Sequence, residues 1–159
     1  MITVKNWGTT PLGEQILQYT MTNSQGTEVR LTNVGASICG VRFADRNGAF
    51  DEVLLGYANG VDYVGDTATC GKTVGRVANR IKHGHLEVEG RVYQLEINNL
   101  ENHLHGGTGG YSNLVWQSQI EEDGVLFTLH SPDGDQNYPS AVYVKVKYSL
   151  NEDNELIFT

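Results

Sequence analysis

The chain has 159 residues, 39% hydrophobic and 19% charged, which excludes a disordered polymer and fits one domain or a piece of a larger one. Its net charge of -8 argues against a nucleic-acid backbone or an anionic membrane as partner. No apolar run approaches the ~18 residues of a membrane span, residues 1–6 lack the apolar stretch of a signal peptide, and Cys39 and Cys70 sit in no ligand-like cluster, so the expectation is a cytoplasmic protein with reduced thiols.

Almost every segment reads as strand. Residues 15–22, QILQYTMT, are rich in strand-favouring types, and 28–32, EVRLT, alternate with the period of two of a half-buried strand. Asn23-Ser24-Gln25-Gly26 supplies a turn between them. Residues 37–43 form the next strand, and Asn47-Gly48 marks a hairpin turn because both positions tolerate positive φ. Residues 50–55 return. From 56 to 70 the alternation fails, which predicts a loop, or a loop with one helical turn, able to wall a neighbouring site.

Residues 85–95 read as a hairpin turning near Gly90, with Leu86, Val88, Val92 and Tyr93 as apolar contributors. Residues 98–113 are irregular and dense in Gly and Asn. Strands follow at 114–120, 125–130 and 142–150, with Asp123-Gly124 as a turn and Lys145 and Lys147 on a wet face. Residues 155–159 begin a further strand, and the sequence stops inside that pattern. An open apolar edge is something natural domains avoid, so residues 1–159 are expected to be the N-terminal part of a longer domain, weakly stable alone. The class is all-β, a sandwich or a barrel.

The stretch 71–110 concentrates the polar chemistry. In Gly75-Arg76-Val77-Ala78-Asn79-Arg80, an arginine fork can bind paired acceptor oxygens and an asparagine offers a donor and an acceptor together, as vicinal sugar hydroxyls require. Either arginine could equally brace loops through backbone carbonyls. His83-Gly84-His85 and His103-Leu104-His105 are both H-x-H, and on a strand either pair would point one way and could grip a metal. No further ligand is evident, so no metal is expected. His105 is the one expected to meet a ligand, with Gly106-Gly107 permitting close approach of a substrate or another backbone. Asp133-Gly134-Asp135-Gln136-Asn137 resembles a calcium loop but has Val144 where the twelfth-position Glu belongs; it reads as a turn bracketed by Pro132 and Pro139.

Four motifs then fall in register. Gly75 to Ile81 resembles G-R-x-A-N-R-I of the aldose 1-epimerase (galactose mutarotase) family. Gly90 to Leu95 is similar to its G-x-x-Y-x-L, Asn102 to Gly107 to its N-x-L-H-G-G, and Ser131 to Pro139 to its S-P-D-G-x-x-G-Y-P-G. The resemblance implies a large antiparallel β-sandwich of the supersandwich type, incomplete in this chain. It implies interconversion of the α and β anomers of aldohexoses such as galactose and glucose, without a cofactor. Asn79, Arg80 and His105 match the family's substrate-holding Asn, Arg and His. The family's acid His and base Glu have no counterpart before Thr159, so no catalytic residue is expected within the chain. Asn137 and Ser140 depart from the family by standing where Gly is usual. Two other readings remain: a non-catalytic sugar-binding module, and a hexose-phosphate relative using Lys72, Arg76 or Lys82 for the phosphate.

Overall fold

The computed structural model describes residues 1–159. The period-two segments form antiparallel strands, and the chain contains thirteen strands, three short 3₁₀ turns and no α-helix. Strands β1 (Ile2–Thr9), β2 (Gln15–Thr22), β3 (Glu28–Thr32), β4 (Ser37–Ala44) and β5 (Phe50–Glu52) make one antiparallel meander in chain order. Strands β6 (Arg80–Lys82) to β9 (Asn102–Leu104) form two small ribbons. In them β6 pairs with β9, and β7 (His85–Val88) with β8 (Arg91–Gln94). Strands β10 (Gln117–Ile120), β11 (Gly124–Ser131), β12 (Val142–Leu150) and β13 (Leu156–Phe158) make a second meander of four.

The two larger sheets share one core. Tyr19, Met21, Val29 and Leu31 from the first sheet pack against Val125, Phe127 and Tyr148 of the second, with Trp116 and Tyr111 between. Tyr19 and Phe127 meet edge to face at 5.8 Å, and Phe127 and Tyr148 at 5.9 Å. The layers are also tied by polar tips: the Tyr19 and Ser118 hydroxyls bond at 2.8 Å, and Tyr148 donates to the Ala36 carbonyl at 2.9 Å. The opposite face of β2 carries Ile16 into a second cluster with Val34, Cys39 and Tyr63. Burying Phe127 or Trp116 contributes on the order of 1.5–3 kcal/mol each.

Several expectations are corrected. Strand β1 was not evident in the sequence, because its ITVKNWGT run buries little and alternates weakly at a sheet edge. Strand β5 ends at Glu52 instead of reaching residue 55, and Val53 and Leu55 lie exposed. Val88 and Val92 are also exposed, since no second layer covers the two-stranded ribbon that holds them. At the β4–β5 turn only Gly48 takes positive φ, at 83°, while Asp45 accepts the amides of Asn47 and Ala49. The break from 56 to 70 is a loop with one 3₁₀ turn, Gly60–Tyr63. No helix is long and apolar enough to cross a membrane.

Candidate functional site

The β6–β9 ribbon sets Arg80 opposite Leu104, which brings Asn79 and His105 together just past the end of the ladder. The His105 amide donates to the Asn79 carbonyl at 3.0 Å, and the Asn79 amide donates to His105 Nδ1 at 3.0 Å. Both residues turn through positive φ, 64° for Asn79 and 53° for His105, a conformation Asn and His adopt more readily than most. The second bond has a chemical consequence. Nδ1 accepts a proton donor, so the proton of the neutral ring lies on Nε2, which is left as a donor.

Arg80 is aimed by two amide side chains. Its Nε donates to Asn99 Oδ1 at 3.0 Å and its Nη1 to Asn79 Oδ1 at 3.1 Å. Its other η nitrogen makes no protein hydrogen bond and the side chain is exposed. His105 and Asn99 line a cleft of about 410 Å³, together with Asp66, Thr67, Thr69 and Asn113. Asn79 and Arg80 do not line it; they adjoin it through His105 and Asn99. Within that wall Asn113 Oδ1 is a buried acceptor without a protein donor.

The other polar groups of this wall are tightly partnered. Asn98 bonds both backbone groups of Leu104, at 2.9 and 2.7 Å, in the manner of a strand neighbour. Glu96 accepts the Thr108 amide at 2.8 Å and its hydroxyl at 2.7 Å; these two donors hold the Glu96 carboxyl below its ordinary range. On the other side, Asp66 forms an ion pair with Lys72 at 3.3 Å, with side chains 3% and 0% exposed. Burial is the largest single influence on Asp66 and pushes its carboxyl up. The Tyr57 hydroxyl, the Ala68 amide and Lys72 together outweigh that and hold it low. The bond to Asp66 pushes the Tyr57 hydroxyl up to about 12.

The remaining candidates separate. Arg76 is a brace: it donates to Ser131 Oγ and to the carbonyls of Ser131, Pro132, Pro139 and Ser140, at 2.6–3.1 Å. The two H-x-H pairs do not point together. His103 is fully buried, with Nδ1 against the Glu96 carbonyl at 2.8 Å and Nε2 against the Tyr138 hydroxyl at 2.7 Å. His105 turns away from it through positive φ, as His83 does before β7. Gly106 makes room for another backbone: a Cβ there would lie 1.6 Å from the Gly75 carbonyl oxygen. Asn137 and Ser140 both adopt positive φ, 66° and 65°, so the turn keeps a glycine-like backbone without glycine.

The aldose 1-epimerase family model matches residues 17–159. The chain belongs to the aldose 1-epimerase family. It is 36% identical over 145 residues to galactose mutarotase of Rattus norvegicus, covering 91% of this chain and 42% of that protein. It is 35% identical over 150 residues to aldose 1-epimerase of Escherichia coli, covering 94% and 43%. A solved aldose epimerase homologue from C. elegans superposes with a TM-score of 0.83 at 34% identity, over 87% of this chain and 43% of that one. Galactose 1-epimerase from Lactobacillus acidophilus gives 0.84 at 26% identity, over 99% and 47%. The chain therefore spans less than half the length of these relatives.

Within this chain, the structure gathers Asn79, Arg80 and His105 beside one another. Sequence reasoning missed Asn99, which aims Arg80, and the Glu96–Thr108 and Asp66–Lys72 pairs that hold the two walls. The Asn98-Asn99 doublet was visible, but its partners lie across turns whose geometry no local pattern encodes. Thr108 carried no signal of its own, and Lys72 was read only as a candidate for a phosphate.

Proposed function

We propose that this chain supplies the sugar-holding part of an aldose 1-epimerase acting on aldohexoses such as galactose and glucose in cytoplasmic hexose metabolism. Asn79, Arg80 and His105 hold the sugar, and residues 1–159 are the N-terminal part of the β-sandwich. The observation that carries this reading is the donor pair beside the cleft. His105 is held with Nε2–H free, next to an Arg80 fork aimed by Asn79 and Asn99. Such donors suit ring and hydroxyl oxygens, and they stabilise charge developing on oxygen as a pyranose opens. Epimerisation requires a proton on the ring oxygen and removal of one from the anomeric hydroxyl. After rotation about C1–C2 the ring recloses on the other face.

The cleft supports binding better than proton abstraction. Asp66 is the carboxylate that lines it, and its oxygens are taken by Tyr57, Ala68, Thr69 and Lys72. On this reading no group of the cleft serves as the acid or the base. Of the three cations the hexose-phosphate alternative offers, Lys72 is ion-paired and Arg76 is saturated by carbonyls, which leaves it only Lys82, exposed on β6.

Polarimetry on fresh α-galactose tests the division of labour: the 159-residue chain is expected to match the buffer blank, and a clear rate above it defeats the assignment. Titration with galactose, followed by ¹⁵N NMR, is expected to shift the His105 and Asn99 signals. Arg80→Lys keeps the charge and loses the fork, so affinity should fall by about tenfold. Tighter binding of a hexose 6-phosphate than of galactose would favour the phosphate reading.

A further inference from the structure

Residues 64–70 form the cleft wall that has no strand of its own, yet a closed polar ring holds them in place. Asp66 Oδ1 accepts the Tyr57 hydroxyl at 2.5 Å and the Ala68 amide at 2.8 Å. Its Oδ2 accepts the Thr69 amide at 3.0 Å and lies 3.3 Å from Lys72 Nζ. Lys72 Nζ donates to the Tyr63 carbonyl at 2.6 Å. The Tyr63 hydroxyl accepts the Tyr57 amide at 3.1 Å, which closes the ring. Tyr63 itself is fully buried in the second core cluster, beside Trp7. The wall is thereby anchored to the five-stranded sheet.

Burying two charges is expensive, and it is offset only when every donor and acceptor has a partner in good geometry. A loop that merely covered the sheet would be served as well by apolar residues. An ion pair with both partners fixed adds a single defined geometry, because neither charge can move without losing its compensation. Thr67, next to Asp66, and Thr69, one of its amide donors, line the same cleft as Asn99 and His105.

We infer that Asp66 and Lys72 are positioning residues for the sugar cleft: their buried ion pair sets residues 64–70 as its second wall and thereby controls how tightly a sugar is held. This rests on the sugar-holding reading above. The test uses the full chain, with Lys72→Met and Asp66→Asn as separate variants. Galactose affinity is read by ¹⁵N NMR titration, and wall and core order by amide exchange. Asp66→Asn keeps one oxygen acceptor, turns the other into a donor and removes the charge, so it stands in if Lys72→Met does not fold. Affinity is expected to fall by at least about tenfold. The amides of Ala68 and Thr69, which Asp66 holds, should exchange faster, while those of Val29 and Phe127 keep their protection. Affinity within about twofold of the parent chain in a folded variant would overturn the inference. So would loss of core protection together with the wall, which marks a merely structural role. A parent chain that shows no shifts with galactose overturns the sugar-holding reading first, and this inference with it.

Discussion

Two arginines four positions apart in one motif do opposite work. Arg76 spends its donors on five oxygens of the 131–140 turn, whereas Arg80 keeps part of its fork free beside the cleft. Residue type cannot separate these roles; the carbonyls that face each side chain do. The turn that Arg76 grips carries its own test. Ser140 holds φ at 65°, donates its amide to Asp133 and offers its carbonyl to Arg76, so its function there is backbone geometry. Ser140→Gly relieves left-handed strain and retains both backbone bonds. It should raise stability by up to about 1 kcal/mol, seen as a higher midpoint in urea.

Among the elements, the short β6–β9 ribbon positions His105, and the turn after it is held by Glu96 through Thr108. The Glu96 carboxyl is depressed in the folded chain by those two Thr108 donors, ahead of any other cause. A depressed carboxyl stabilises the fold fully above the ordinary Glu value and loses that contribution as pH falls through its folded value. Thermal midpoints should therefore drop below about pH 4.3. In Glu96→Gln that part of the drop should be missing. Solvent screening at this exposed pair limits the effect to under about 1 kcal/mol. Melting curves of both proteins across pH check it, and parallel curves would show that Glu96 does not contribute.

Across the whole molecule, stability depends on one aromatic seam between two sheets that are far apart in sequence. Tyr19 from β2, Phe127 from β11 and Tyr148 from β12 meet there, and Phe127 is fully buried. Phe127→Ala should cost about 3–5 kcal/mol through lost contacts and the cavity left behind. A domain of this size holds only about 5–15 kcal/mol, so the urea midpoint should fall sharply or the chain should unfold outright. A shift equivalent to under about 1 kcal/mol would mean that the seam is not the main tie between the layers.

Legibility in the sequence followed the range of the forces involved. The strands β2, β3, β4, β11 and β12 were readable from strand-favouring residues and bounding turn signals, with β3 and β12 also showing a period of two written locally. Strand β1 escaped because an edge strand buries too little to impose that period. The residues Asn79, Arg80 and His105 were singled out through the resemblance of residues 75–81 and 102–107 to family motifs. What the tertiary structure decided was direction and partnership. It turned His105 outward while burying His103, assigned the proton to Nε2 through the Asn79 amide, and sealed Asp66 against Lys72. Those outcomes depend on groups brought together across turns, where hydrogen-bond geometry and burial, not local periodicity, select the conformation.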